Sequence, residues 1–264
     1  MNSTENRMLE VLRELKNEYG VLAVKAEFEA EGSRLDELIM LNEVVFRADM
    51  DLFIKIGGCE AVRDLDQCKL LGASGIMAPM IETPFAMCKF RGAAKKVYKD
   101  DLDSIEWIIN AETKTCRANF DEILDEADGF LNTISIGRVD LSASMGLTRA
   151  DIDGEKVYEA AEEFAKKAKA KGLNAGIGGG VSLDSIPVLT KIKDYLDKFE
   201  TRKIVFAIDQ PQETLKKGLV LAMEFEMLYL QNKCNFYGEM EAEDAQRVEM
   251  LKERHKAACE RQGK

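Results

Sequence analysis

The sequence is poor in the residue that most catalytic centres use. Its 264 residues include a single histidine, His255, which lies in the charged stretch that ends the chain. A Ser-His-Asp triad, a Cys-His pair and a histidine-rich metal site are therefore nearly excluded. Any acid-base chemistry must rely on carboxylates, lysines, a metal-bound water, a cysteine or a tyrosine.

Cysteine pairs with the spacing of a metal site or a redox motif are also missing. The six cysteines, at positions 59, 68, 88, 116, 234 and 259, form no C-x-x-C pair and follow no regular spacing. We therefore expect reduced, half-buried thiols in a reducing compartment, with neither zinc nor disulfides.

Long apolar runs and an excess of positive charge are absent as well. No run approaches the roughly 18 apolar residues of a membrane span, and residues 1–20 lack the apolar core of a signal peptide. The net charge of −11 argues against nucleic acid or an anionic membrane as the main partner. We expect a cytoplasmic protein, in which a few buried cations could still bind a small anionic substrate.

Apolar runs and helical patterns alternate along most of the chain. Seven strands are predicted, at 21–27, 51–56, 75–80, 105–112, 133–138, 174–178 and 203–208. This alternation predicts a parallel sheet covered by helices, and the length fits an α/β fold of the (β/α)8 TIM barrel type. We expect the eighth strand near 96–98 or from the N-terminus, unless it is missing. An open doubly wound sheet is the alternative, disfavoured because no G-x-G-x-x-G follows the first strand.

Helices are predicted at both ends of the chain and before the last predicted strand. They cover 1–19, 183–199, 212–231 and 241–261. No repeat or linker suggests a second domain, so we predict one barrel domain over 1–264. Its tail, 239–264, is expected either to be a solvated helix or to pack on a partner subunit, and we expect a homo-oligomer.

Two apolar runs, 105–112 and 133–140, are separated by one helical pattern and each end in a carboxylate, Glu112 and Asp140. A crossover between parallel strands brings their carboxyl ends to the same side of the sheet. Neighbouring strands lie roughly 4.8 Å apart, so the two acids could share one divalent cation. The alternative is that both are ordinary strand-end or helix-cap acids.

Other candidates also lie at predicted strand ends. Lys55 interrupts an apolar run and is costly to bury without an anionic partner, which indicates either a functional cation or a structural ion pair. Gly57 and Gly58 would let a ligand approach the backbone, although a simple turn explains them too. The glycine loop 178–180 follows the penultimate predicted strand, where barrels commonly hold a phosphate on backbone amides. A tight turn without a ligand is the alternative.

Four segments together resemble a known family. They are Gly72–Met80 (GASGIMAPM), Ile109–Thr113 (INAET), Asn119–Ile123 (NFDEI) and Ile136–Gly146 (IGRVDLSASMG). The chain resembles, over roughly 21–210, the superfamily of 4-hydroxy-2-oxoheptanedioate-type aldolases and citrate lyase beta subunits. Members carry an I-E-T element and a G-P-x-D-L-S-A-S-x-G element at about this separation.

The resemblance implies a metal-dependent barrel that makes or breaks a carbon-carbon bond through the enolate of pyruvate or a related 2-oxo acid. It implies that Glu112 and Asp140 bind Mg²⁺ or Mn²⁺, and that Lys55 replaces the arginine that polarises the keto oxygen. The substrate would be a small anionic 2-oxo acid, with or without a phosphate group. Together with the residue patterns above, it leads us to predict substrate contacts at Gly57, Gly58, Pro79, Met80, Arg138, Gly178, Gly179 and Gly180.

The chain departs from the family pattern at several positions. Phe28 stands where aldolase members often have the histidine of an acid-histidine pair, and Arg138 stands where proline is usual. Enolate chemistry would then need Glu27, Glu60 or a metal-bound water as the base. Two alternatives remain open: Schiff-base chemistry on Lys25 or Lys55, and a non-catalytic binding or assembly barrel.

Overall fold

The structure is a computed structural model that describes residues 1–127 and 129–261. Within these residues, eight strands, β1 to β8, close into a barrel. They are Val21–Glu27, Asp51–Lys55, Gly75–Ala78, Glu106–Ala111, Thr133–Gly137, Asn174–Gly178, Lys198–Glu200 and Ile204–Ala207. Each strand pairs with the next, and β8 closes the barrel on β1. The predicted barrel is confirmed.

The eighth strand lies where the sequence predicted a helix. Segment 183–199 was expected to be helical, but residues 198–200 form β7 and pair with both β6 and β8. Strands β1 to β7 run parallel, whereas β8 is antiparallel to β7 and to β1. The connection between β7 and β8 is only residues 201–203, which is too short for the crossover that a parallel pair needs. The other expected locations are wrong, because 96–98 ends a helix and the N-terminal segment is helical.

Ten α-helices, α1 to α10, surround the barrel in the described ranges. They are Ser3–Glu18, Leu35–Arg47, Val62–Leu71, Pro84–Tyr98, Lys114–Ala118, Phe120–Glu126, Arg138–Ser144, Glu155–Ala170, Ile186–Ile192 and Gln212–Arg261. Short 3-10 turns cover Lys99–Ser104, Arg149–Asp151, Leu183–Ser185 and Lys193–Tyr195. Arg138, predicted to end a strand, therefore begins α7.

The two predicted C-terminal helices are one continuous helix, α10. Its first half packs on α1, and Tyr237 donates a hydrogen bond of 2.7 Å to Glu37 Oε1 on α2. Residues 238–255 are exposed. Of the predicted tail, residues 262–264 lie outside the described part of the chain. Among the described helices, none has the length and apolar character needed to cross a membrane.

The two faces of the strands carry different residues. Ile54, Ile134 and Phe199 point outward into a continuous apolar core between barrel and helices. The alternate residues form only a small apolar cluster inside the barrel, made of Ala23, Phe53, Met77, Ile108 and Val205. The rest of the interior is polar, so the polar side chains concentrate along the barrel axis.

Candidate functional site

The carboxyl ends of the parallel strands open into a cleft of about 480 Å³. Its wall includes Lys25, Glu27, Lys55, Met80, Asn110, Glu112, Asp140, Arg149, Gly179, Gly180, Glu200 and Arg202. The predicted residues Lys55, Glu27, Glu112 and Asp140 are thus brought together, from β1, β2, the end of β4 and the start of α7. Parallel pairing accounts for this arrangement, because it places these strand ends at one side of the barrel.

Two glycines make room for carboxylates inside the barrel. A Cβ atom on Gly137 would lie 2.5 Å from Oε2 of Glu112, and one on Gly178 would lie 2.7 Å from Cγ of Glu200. Any larger residue at either position would displace the neighbouring acid. These strand-end glycines therefore shape the cleft.

Glu112 is held firmly in the wall of the cleft. Only 1% of the residue is exposed, and its carboxylate accepts hydrogen bonds from Met80 N at 3.0 Å and Asn110 Nδ2 at 2.8 Å. Met80 adopts a φ of 53°, a conformation that non-glycine residues rarely adopt and that is common at functional sites. Burial raises the pKa of Glu112, and the charge of Asp140 adds to the increase, while Lys55 opposes it.

Lys55 is a buried cation between two carboxylates. Its Nζ lies 2.8 Å from Glu29 Oε2 and 3.7 Å from Glu112 Oε2. Burial alone would lower its pKa, but Glu112 and Glu29 outweigh burial and raise the pKa. The amine therefore stays protonated and can stabilise negative charge in the cleft.

A second buried lysine lies deeper in the barrel. Lys25 Nζ is 3.0 Å from Glu200 Oε1 and 3.4 Å from Glu27 Oε1. Burial opposes its charge, but Glu200 and Glu27 raise its pKa. Burial also opposes ionisation of Glu27, yet Lys25 and Lys55 outweigh it and lower the pKa of that carboxyl. Both members of this pair are therefore charged.

The oxygen atoms around Glu112 and Asp140 suit a hard divalent cation. Asn110 Oδ1 is buried and has no hydrogen-bond partner among the described residues, which adds an unsatisfied oxygen on the side chain that donates to Glu112. Carboxylate and amide oxygens are typical ligands of Mg²⁺ and Mn²⁺. No group of three or more His, Cys, Asp or Glu side chains in the described ranges could hold a metal. Water and substrate would have to complete the shell, as is usual for Mg²⁺.

Three predicted site residues lie elsewhere. Glu60, predicted to be catalytic, points to the outer surface, where its carboxylate is 2.6 Å from Lys89 Nζ. Gly57 donates its backbone N–H to Asp64 Oδ2 at 2.7 Å, and neither Gly57 nor Gly58 is among the residues that line the cleft. These glycines form the turn into α3, and Glu60 lies outside the cleft, so the geometry does not support its predicted catalytic role.

Arg138, predicted to contact substrate, is instead buried beneath the cleft. Its guanidinium donates to Gly178 O at 3.0 Å, to Ser185 Oγ at 3.4 Å and to Asp153. It is only 1% exposed and does not line the cleft. Burial lowers the pKa of Arg138, and the nearby charge of Asp153 partly offsets this decrease. Arg138 therefore ties the end of β6 to the segment that precedes α8, and the substrate-contact prediction is corrected.

The remaining predictions divide in the same way. Met80, Gly179 and Gly180 line the cleft, whereas Pro79 and Gly178 do not. Gly178 instead lies against the side chain of Glu200.

Sequence reasoning also missed several residues of the cleft, among them Asn110, Glu200 and Arg149. Asn110 could have been found, because it precedes Glu112 by two positions and so faces the same side of β4. Glu200 was missed because it lies between the predicted helix 183–199 and the predicted strand 203–208, in a segment for which no strand was predicted. Arg149 lies in a loop turn that carries no recognisable pattern.

Comparisons with known proteins agree with this architecture. The family model of HpcH/HpaI aldolase/citrate lyase matches residues 33–178. Among curated proteins no match is found. A solved HpcH/HpaI aldolase from Desulfitobacterium hafniense DCB-2 is 17% identical, with a TM-score of 0.61 over 76% of this chain and 82% of the other. A family protein from Burkholderia cenocepacia J2315 is 15% identical, with a TM-score of 0.56 over 73% of this chain and 91% of the other.

At these identities the solved structures establish only a shared fold. The family model carries more weight, because it matches more than half of the chain, from the loop after β1 to the end of β6. The chain belongs to the HpcH/HpaI aldolase/citrate lyase family, which indicates a lyase or aldolase.

Proposed function

We propose that this protein is a divalent-metal-dependent carbon-carbon lyase or aldolase that acts through the enolate of pyruvate or a related 2-oxo acid. The observation that carries the proposal is the meeting of Glu112, Asp140 and protonated Lys55 in one cleft. Two carboxylates that can hold a metal, beside a fixed cation, match the needs of a reaction that develops negative charge on a keto oxygen.

Each residue has a distinct role in this proposal. Glu112 and Asp140 would hold Mg²⁺ or Mn²⁺, which supplies a Lewis acid to the 2-oxo acid when bound. Lys55 would donate a hydrogen bond to the keto oxygen and hold its developing charge. Its link to Glu29 at 2.8 Å fixes the amine in place.

Glu27 is the candidate for proton transfer. It lies in the cleft as a carboxylate whose pKa is lowered by Lys25 and Lys55 against the effect of burial. Glu60 is too far out to serve. Phe28 is not among the residues that line the cleft, and its backbone N–H donates to Lys55 O at 2.8 Å, so nothing at that position replaces an imidazole.

The Schiff-base alternative is disfavoured by charge. Carbonyl attack requires a neutral amine, but carboxylates raise the pKa of both Lys25 and Lys55. The pKa of Lys203 is lowered by burial, yet its amine contacts Glu31 at 2.5 Å and lies outside the cleft. A non-catalytic barrel remains the outcome if turnover is absent.

Exchange of the methyl protons of pyruvate with D₂O, followed by ¹H NMR, tests the proposal without knowledge of the second substrate. We expect exchange with Mg²⁺ and none with EDTA. Glu112→Gln and Asp140→Asn should each slow exchange by about 100-fold or more, whereas Asp121→Asn at an exposed position of α6 should not. No exchange by the wild type, or full exchange by both variants, would overturn the proposal. Two results together would favour the Schiff base: exchange that continues in EDTA, and a covalent pyruvate adduct of the protein that borohydride traps.

The proposal includes a cytoplasmic homo-oligomer that acts on a small anionic substrate. An exposed apolar row on α10 supports self-association, made of Val220, Met223, Met227 and Leu230. Sedimentation velocity would measure the oligomeric state, and a monomer at micromolar concentration would contradict this part.

A further inference from the structure

One cation of the cleft differs from the others. The cationic side chains that line the described part of the cleft are Lys25, Lys55, Arg202 and Arg149. The first three each lie within 4.0 Å of a carboxylate oxygen. Arg149 has no ion pair and no hydrogen bond from its guanidinium to any described residue. Its charge is therefore available to a ligand.

Unpaired backbone donors lie beside this arginine. Gly179, Gly180 and Val181 follow β6 and line the same cleft. A Cβ atom on Gly180 would lie 3.9 Å from Arg149 Nη2, so the guanidinium approaches this loop closely. The backbone N–H groups of these three residues donate to no acceptor in the described part of the chain. Such donors are normally satisfied by water or by a ligand.

The loop is built so that only glycine fits at two positions. Gly179 has a φ of +81° and a Cβ there would lie 2.7 Å from Arg138 N. Gly180 has a φ of +69° and a Cβ there would lie 2.7 Å from Ile152 Cδ1. Both residues adopt backbone conformations that side chains disfavour, and the fit against the neighbouring segments is tight.

Arg138 joins the loop to the segment that carries Arg149. Its buried guanidinium donates to Gly178 O at the start of the loop and to Asp153, four residues after Arg149. Ser185 Oγ donates in turn to Asp153 Oδ2 at 3.2 Å. The glycine loop and the Arg149 turn are therefore held together from below, which keeps the unpaired donors near one another.

We propose that Arg149 and the backbone N–H groups of Gly179, Gly180 and Val181 form a subsite for an oxyanion, a phosphate or a carboxylate, on the second half of the substrate. A guanidinium with convergent amides suits such a group. Lys55 would face the 2-oxo acid, and Arg149 would select a second substrate, the carbonyl partner in the carbon-carbon bond, that bears its own anionic group. The assignment to a second substrate rests on the proposed function, whereas anion binding itself does not.

Titration calorimetry in metal-free buffer tests the subsite, with inorganic phosphate and acetate as separate probes. We expect the wild type to bind at least one of them, and the stronger probe identifies a phosphate or a carboxylate site. Arg149→Gln should weaken that binding by about tenfold or more, while Arg149→Lys should retain part of it. The control is Arg63→Gln, which removes the same charge from an exposed position of α3 outside the cleft and should bind like the wild type.

Two results would overturn the subsite: no binding of either anion by the wild type, or equal affinity in the wild type and Arg149→Gln. Binding of oxalate with Mg²⁺ is the internal check, and we expect Arg149→Gln to retain it. If pyruvate exchange fails while anion binding depends on Arg149, the proposed function is wrong and the subsite stands. If pyruvate exchange proceeds but Arg149→Gln binds the anion as tightly as the wild type, only the subsite proposal is wrong.

Discussion

The inner and outer faces of the same eight strands differ in how they tolerate charge. Outward residues such as Ile54, Ile134 and Phe199 form an apolar layer against the helices. Inward residues include Lys25, Lys55, Glu112, Lys198 and Glu200, all buried. Successive side chains of a strand point to opposite faces, so one short segment can serve a core and a chemical site.

The inner face keeps its charges because each one has a partner. Lys25 pairs with Glu200, and Lys55 with Glu29. At the other end of the interior, Lys198 contacts Glu106, which also accepts a hydrogen bond from Thr133. Removing an ion from water costs several kcal/mol unless a partner offsets the loss. The comparison teaches that outer positions determine stability through packing and inner positions through pairing.

The largest expected effect is the loss of a large side chain from the outer face. Phe199 is fully buried and stacks on Phe206 at a centroid distance of 4.9 Å. Phe199→Ala should lower the free energy of unfolding by about 3–5 kcal/mol, since it leaves a cavity. Urea unfolding measures this change. A loss below 1 kcal/mol would show that the outer layer can collapse around the gap.

Breaking a pair on the inner face should cost somewhat less. Glu200→Gln leaves Lys25 with Glu27 alone at 3.4 Å, so we expect the lower end of the roughly 3–5 kcal/mol range for a broken buried pair. The double variant Lys25→Met with Glu200→Leu should be more stable than Glu200→Gln, because the buried charge of Lys25 is gone and Glu27 keeps Arg202 at 3.8 Å. Urea unfolding of the single and double variants tests this, and a double variant less stable than the single one would contradict the pairing argument.

Replacing Lys55 should separate activity from packing. Lys55→Met keeps much of the side-chain volume but removes the cation, and we expect pyruvate exchange to slow by about 100-fold. Lys55→Arg restores the charge, so it should recover part of the rate, although its planar fork differs from an ammonium group. ¹H NMR of the exchange provides the measurement. Equal rates in Lys55→Met and the wild type would remove Lys55 from the mechanism.

The smallest expected effect concerns how stability depends on pH: two carboxyls of the inner face, Glu112 and Glu27, should contribute with opposite signs. Burial raises the pKa of Glu112 above its ordinary value of 4.5. The stabilisation that the protonated Glu112 carboxyl contributes is thus fully present below pH 4.5, and it is lost as the pH rises through the pKa of Glu112 in the folded protein. For Glu27, burial is outweighed by Lys25 and Lys55, and the pKa is lowered. Its contribution is present above 4.5 and is lost as pH falls through the folded pKa.

Urea unfolding of Glu112→Gln and Glu27→Gln from pH 3 to 8 measures these slopes against the wild type. In metal-free buffer, the advantage of the wild type over Glu112→Gln should decrease as pH rises. Its advantage over Glu27→Gln should increase. Slopes of the same sign would show that the two carboxylates do not have the opposite environments described here.

The sequence by itself determined the barrel and the centre of the cleft. Alternating apolar runs and helical patterns predicted the strands from β1 to β6, because each run is long enough to stand out. Parallel crossovers then required Lys55, Glu112 and Asp140 to lie at one end of the barrel. The carboxyl ends of parallel strands meet there whatever the details of packing.

Tertiary structure alone decided the rest. Strand β7 has only three residues and is stabilised by pairing with β6 and β8 rather than by its own pattern; this pairing also brings Glu200 to Lys25. The sequence could not show that Arg138 turns beneath the cleft towards Asp153, or that Arg149 meets the glycine loop. Those contacts join segments far apart in the chain, and the direction of a long side chain depends on which partners the fold brings within reach.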